Sequence, residues 1–273
     1  MREASEALPL VLPLPDDAGS SHLRCVTPTK PVLVASDIHL GAASANQERA
    51  FMAWLRHAGG AASWIILNGD LFDFWFEYRW GTTRGHQNVL HMLRRIVDSG
   101  VPVTLMGGNH DWWGGAYLRE EIGLEFLQGP VTRDIAGRRA FLAHGDGLGR
   151  GDTGYHLLRS LLRGRATRWA FGMLPPAVGD QIGRMVSATE GRGPPRGDEL
   201  ERAAALEEWA VGKLKEEPDL ELVILGHTHI PVVREVAPGR WYANPGDWIF
   251  HSTYLTLDRS GHPRVSRWQD GTT

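Results

Sequence analysis

The sequence predicts an α/β protein built on a largely parallel central sheet with helices on its faces. Three observations predict it. Five short apolar runs each stop abruptly at polar residues, the mark of buried strands that end in tight turns. Between the early runs lie stretches with apolar residues at three-and-four spacing, the period of a helix that buries one side. The resulting order is βαβαβ, and in such folds ligands gather beyond the carboxyl ends of the strands.

The first run, residues 31–35, enters Ser36-Asp37-Ile-His39. A helix follows over 47–57 with Phe51, Trp54 and Leu55 inward. The second run, 64–67, enters Asn68-Gly-Asp70-Leu-Phe-Asp73, and a helix over 87–98 follows with Val89, Leu90, Leu93, Ile96 and Val97 on one face. Runs 101–106, 139–143 and 221–225 enter Gly108-Asn109-His110-Asp111, His144-Gly-Asp146 and Gly226-His227-Thr-His229. A third helix spans 198–217, acids early, Lys213 and Lys215 late, with Leu206, Trp209, Ala210 and Leu214 inward. Segments 232–236, 240–243 and 253–258 read as short strands joined by Pro-Gly and Asn-Pro-Gly turns, an antiparallel extension or a further sheet layer.

Composition bounds the function. With 273 residues, 42% apolar, and 11 Trp, 8 Phe and 5 Tyr, the chain has material for a large core. A net charge of −3 lacks the basic excess of a dedicated nucleic-acid binder. One cysteine, Cys25, cannot close an internal disulfide. No apolar run approaches the ~18 residues that span a bilayer. Residues 1–29, with Pro9 and Pro13 breaking their only apolar stretch, are expected to form a poorly ordered leader, or else a short edge strand. The domain is expected over 30–262, with a helical cap insertion at about 148–197, and 263–273 as a tail.

Five of the twelve histidines and several carboxylates directly follow predicted strands, where one sheet edge would bring them together. Imidazole, carboxylate and amide without thiolate suit Mn, Fe, Zn or similar divalent ions, and the number of ligands implies two. Such pairs clamp a phosphoryl group for in-line attack. One carboxylate must bridge them, and Asp70, central in the order, is the candidate.

In order and spacing these five blocks resemble those of the calcineurin-like metallophosphoesterases over roughly residues 31–258. The resemblance implies an αββα sandwich of two sheets with a helical cap. It implies one ion on Asp37, His39, Asp70 and His229, and the other on Asp70, Asn109, His144 and His227. His110 then stands beside the phosphate as the non-ligand member, stabilising charge or protonating the leaving oxygen, with Asp111 orienting its ring or capping the next turn. Asp73 is an outer carboxylate or a structural one.

Residues 70–78, the stretch His144-Gly-Asp-Gly-Leu-Gly-x-Gly-Asp152-x-Gly-Tyr155, and Gly-Asp247-Trp248 further resemble bacterial UDP-2,3-diacylglucosamine diphosphatases. These relatives split a nucleotide-linked glycolipid, a lipid A precursor, at the cytosolic face of the inner membrane. That implies Mn2+ as the expected metal, substrate contacts from Asn109, His110, Asp152 and His227, and a cytoplasmic, peripheral, monomeric enzyme. The cap supplies an independent reason for an amphiphilic substrate, since it interleaves apolar residues with eight arginines against three acids. The competing expectation is that its apolar face packs on the sheet. Many of these diphosphatases carry Arg where this chain has His110, which leaves room for esters with poorer leaving groups. Two rivals remain: action on another phosphodiester or nucleotide, and a non-catalytic interaction module on the same scaffold.

Overall fold

The computed structural model describes residues 30–149, 162–187 and 197–269. The expected leader, Asp152, Tyr155 and parts of the cap insertion lie outside the described residues. In chain order the elements are β1 (Val32–Ala35), α1 (Ala45–Ala61), β2 (Trp64–Leu67), the hairpin β3 (Glu77–Tyr78) and β4 (Gly81–Thr82), α2 (Gln87–Asp98) and β5 (Val103–Met106). A π-helical turn (Tyr117–Glu121), β6 (Glu125–Leu127), β7 (Val131–Ile135) and β8 (Arg138–Leu142) follow. The cap helices α3 (Arg165–Gly172) and α4 (Pro176–Ser187) precede α5 (Gly197–Glu216). The chain closes with β9 (Leu222–Ile224), β10 (Val232–Ala237), β11 (Arg240–Asn244), β12 (Thr253–Leu257) and β13 (Pro263–Arg267).

There are two major sheets, as the resemblance implies, and of the two alternatives that patterning left for the late strands a further sheet layer is present. The first has the order β13-β12-β1-β2-β5-β6, the second β10-β11-β9-β8-β7. The strands β1, β2, β5 and β6 are parallel in the first, and β8, β9 and β11 in the second. Strand periodicity explains how they stack. In β1, Val32 and Val34 enter a core shared with Ile135, Leu142 and Ile224 of the second sheet, while Leu33 and Ala35 face Phe51, Trp54 and Leu55 of α1. On the far side, Val223 and Phe141 meet Leu206, Ala210 and Leu214 of α5. The layers are therefore helix, sheet, sheet, helix. Each fully buried Leu, Ile or Val contributes about 1.5–3 kcal/mol.

Helix α1 begins two residues before the apolar pattern does, because Ser44 and Gln47 form a capping box across its first turn. It continues through Gly59, whose missing side chain makes room for Ile96 of α2; a Cβ there would lie 2.9 Å from Ile96 Cγ1. Helices α2 and α5 occupy the predicted spans almost to the residue. The stretch Pro263–Arg267, assigned above to a tail, is instead edge strand β13, paired antiparallel with β12. The late strands also divide: β10 and β11 complete the second sheet, β12 and β13 the first.

The cap helices sit over the β3–β4 hairpin. Phe171 packs with Phe74, Phe76 and Tyr78, and Gly179 and Gly183 bring α4 directly onto the Tyr78 and Phe74 rings. Asp180, buried, accepts from the Tyr78 hydroxyl at 3.0 Å and the Arg84 amide at 3.2 Å. At the other end, Arg163 pairs with Asp146 at 2.8 Å and lies over the Trp112 ring. Thus one face of the cap does pack on the core. Its remaining surface exposes Trp169, Met173, Val178, Ile182 and Met185, five of the seven exposed large apolar residues among the described ones.

Candidate metal centre

Because β1, β2 and β5 of one sheet and β8 and β9 of the other end on the same side, their five following loops converge between the sheets. The loops are tight. Asp37, His39, Asp70, His227 and His229 all have positive φ, from 51° to 67°. For residues with a Cβ this left-handed backbone costs about 1–2 kcal/mol each, and it persists only where surrounding structure enforces it. Here it turns successive side chains inward. Two glycines allow the loops to close on one another: a Cβ on Gly108 would lie 2.1 Å from Asp70 Oδ1, and one on Gly69 would lie 2.2 Å from His144 Nδ1.

Seven expected ligands meet at this point. Asp37, His39 and His229 form one group of ligand atoms within 4.8 Å, and Asp70, His144 and His227 another. Asp70 joins them, its Oδ2 being 3.2 Å from His144 Nε2 and 4.0 Å from His39 Nε2. Asn109 Oδ1 lies 3.1 Å from His144 Nε2 on the second side. His229 Nε2 lies 3.3 Å from Asp37 Oδ1 on the first. Ring orientation is set from behind: the Asn68 carbonyl, which can only accept, lies 2.9 Å from His144 Nδ1 and so directs Nε2 to the centre. Asn68 also donates to the Ala143 carbonyl at 2.9 Å, tying the two sheets at the site. Asp247, fully buried, stands behind His229 with Oδ2 at 3.4 Å from Nδ1. Sequence reading assigned no role to Asn68 or Asp247; the signal for Asn68 was a polar residue directly after an apolar strand, and for Asp247 its place in the Gly-Asp-Trp stretch.

His110 is buried against the His39 ring, edge to face at 4.8 Å, with Nδ1 at 2.8 Å from the Asp73 carbonyl. The expected contact between Asp111 and the His110 ring is not what holds that ring. The Asp111 carboxylate instead accepts from the main-chain amides of Leu71 at 2.7 Å, Gly108 at 2.8 Å and Asp70 at 3.3 Å. Four buried N–H groups in two ligand loops need acceptors, and one short carboxylate between the loops satisfies them. Asp111 is a loop clamp. Asp73 contributes its carbonyl to His110 and sets its carboxylate 3.9 Å from His39 Nδ1.

Electrostatics mark a place built for cations. Burial opposes ionisation of Asp37, yet the His229 charge and hydrogen bond hold its carboxyl at about 2. Burial likewise opposes Asp70, and the charges of His144 and His110 keep it well below the usual range. Against burial, the charge and hydrogen bond of Asp70 raise His144 to about 10, and Asp37 and Asp247 raise His229 well above its ordinary value. His39 is pushed down to about 4 by burial, partly offset by Asp70. Burial and the Asp70 charge push Asp111 up to about 6. His39 Nε2, buried and without a hydrogen-bond partner, faces this anionic centre. Nitrogen and oxygen donors at these separations fit divalent ions with bonds of ~2.1 Å.

Because the neighbouring carboxylates raise the proton affinity of His144 and His229, and each must free a nitrogen to ligate, metal uptake is expected to release protons. Protons compete with metal throughout the range below about 10 for His144. Affinity should therefore rise with pH, by about tenfold per unit for each proton displaced. Calorimetric Mn2+ titration in two buffers of different ionisation enthalpy counts those protons, and a count of zero would contradict the assignment.

Residues 30–231 match the calcineurin-like phosphoesterase family. A UDP-2,3-diacylglucosamine hydrolase of Porphyromonas gingivalis is 29% identical over 245 residues, covering 83% of this chain and 94% of its own. The enzyme of that name from Pseudomonas aeruginosa is 30% identical over 235 residues, covering 85% and 96%. That from Aeromonas hydrophila is 28% identical over 242 residues, covering 86% and 97%.

Proposed function

The chain belongs to the calcineurin-like phosphoesterases, metal-dependent hydrolases, and on that premise we propose that it cleaves the pyrophosphate of UDP-2,3-diacylglucosamine to UMP and 2,3-diacylglucosamine 1-phosphate. The observation that carries the reading is the match to hydrolases of that name along nearly their whole length. One divalent ion would be held by Asp37, His39, Asp70 and His229, and the other by Asp70, Asn109, His144 and His227, with Mn2+ as the metal. When bound, the pair supplies Lewis acidity to phosphoryl oxygens and lowers the pKa of water.

In the reaction, the oxygen of water adds to the uridine-side phosphorus and the proton it gives up passes to solvent. The bond from that phosphorus to the bridging oxygen breaks, and the lipid phosphate departs. His110, its Nδ1–H held by the Asp73 carbonyl, offers Nε2 to the phosphate, where its protonated form stabilises charge or donates to the leaving oxygen. Asp111 keeps the Asp70 and Gly108 loops at their spacing. Asn109 and His227 complete the substrate contacts, together with the expected Asp152, which lies outside the described residues.

The apolar row on α3 and α4 supports an amphiphilic substrate and a peripheral place at a membrane face. Trp169 and Met185 are 72% and 67% exposed beside a basic cap. No helix among the described residues is long and apolar enough to cross a membrane. In this reading the row shelters acyl chains. Release of UMP by the Mn-loaded protein, with an aryl phosphodiester as comparator, tests both points. Ile182→Ser combined with Met185→Ser is expected to raise KM for the diacylated substrate about tenfold, the worth of about one buried apolar side chain, and to leave the aryl ester unchanged. Equal loss on both substrates would reduce the row to structural packing. Hydrolysis of the aryl ester alone would discard the lipid assignment.

A further inference from the structure

The loop after β11 carries the buried carboxylate that stands behind His229. In Asn244-Pro-Gly-Asp247-Trp248, Trp248 anchors the loop: it is fully buried against Phe51 and Trp54, and its amide donates to the Asp37 carbonyl at 3.1 Å. Asp247 is thereby held beside the ligand loops. Its Oδ1 accepts from the His251 amide at 2.9 Å, the Phe250 amide at 3.2 Å and His251 Nδ1 at 2.9 Å. These donors orient the carboxylate without help from the metal centre. Its Oδ2 is left facing His229 Nδ1 at 3.4 Å.

His229 needs such a backing. Its side chain is 29% accessible, against 7% for His39 and 1% for His144, and its backbone lies in the left-handed region at φ 62°. Its imidazole can carry a single proton on either nitrogen, and only the form protonated at Nδ1 leaves Nε2 with a lone pair for a cation. We propose that Asp247 is a positioning residue for the centre. It takes the Nδ1–H of His229, so that Nε2 is presented toward Asp37, and His251 clamps the carboxylate in that pose. The inference rests on the metal-centre reading of the same histidine.

Asp247→Asn tests it with little change of shape. An amide oxygen can still accept from Phe250 and His251, but its NH2 then faces His229 Nδ1. The ring is driven to the other tautomer, with its proton on Nε2. Titration of the full chain with Mn2+ is expected to give two ions for the native protein. In Asp247→Asn, one of the two should bind about 10–100-fold more weakly while the other is unchanged. Since Asp247 acts through His229, adding Asp247→Asn to His229→Ala should cost nothing further in metal affinity. Thermal melting of the metal-free proteins separates this from a folding defect.

Native affinity for both ions in Asp247→Asn would overturn the proposal. So would additional weakening in the double variant, which would make the aspartate a general loop support. Failure of the native chain to bind any Mn2+ would overturn the metal-centre reading and this inference with it.

Discussion

Asp70→Asn is expected to fold, to bind at most one of the two ions, and to lose turnover by about 10³-fold or more. Among the described residues, Asp70 is the one whose carboxylate reaches both groups of ligand atoms. Its Oδ1 accepts from the His110 amide at 2.9 Å, so an asparagine oxygen keeps that place and the NH2 falls where Oδ2 faces His144 and His39. A donor then points at two nitrogens that should share cations with it. The substitution also removes a negative charge from between two dications. Loss of Lewis-acid stabilisation worth several kcal/mol corresponds to the stated rate effect. Elemental analysis of the metal content and UMP release measure the two losses separately. An Asn variant with two ions and native turnover would exclude Asp70 as the bridge.

The second large effect is expected at His110, where replacement should separate chemistry from metal binding. His110→Ala should keep two ions and lose about 10²–10⁴-fold in kcat, the worth of a positioned acid. The ring is close enough to His39 and Asp70 to be considered a ligand itself. Its Nδ1 is engaged by Asp73, however, and the sides of the two ion sites are completed by other residues. Loss of an ion from His110→Ala would reverse that assignment. His110→Arg carries the finer test. A phosphate leaving group with second pKa about 6 needs charge stabilisation more than a proton, so a guanidinium should sustain pyrophosphate cleavage within about tenfold. Esters with poor leaving groups should lose the full acid contribution. Equal retention on both substrate types would show that His110 is not a proton donor.

Much of this architecture was legible along the chain. The strands at 64–67 and 32–35 announce themselves by apolar runs that stop at ligands, and α2 by its three-and-four spacing. The expected ligands likewise declare themselves by standing one to four residues past such runs, because a tight turn leaves no other place for a side chain aimed over a sheet edge. Short or amphipathic strands were harder to see. β7, with its burial alternating along residues 131–135, and edge strand β13 carry few apolar residues, since each has one face or edge in solvent. The β3–β4 hairpin lies hidden in an aromatic stretch whose partners are the cap helices.

Local patterning by itself determined the element types, the helical faces and the chemical kind of each site residue, because these depend on neighbours within one turn or one strand. Only the tertiary structure decided that the five loops come from two sheets rather than one, since a buried strand looks the same in either. The same holds for the roles of the buried carboxylates. Asp111 and Asp247 follow similar local signals, but one clamps amides of two loops and the other stands behind His229. What a carboxylate does is set by the donors that surround it, and here those donors come from residues as far as 41 positions away in sequence.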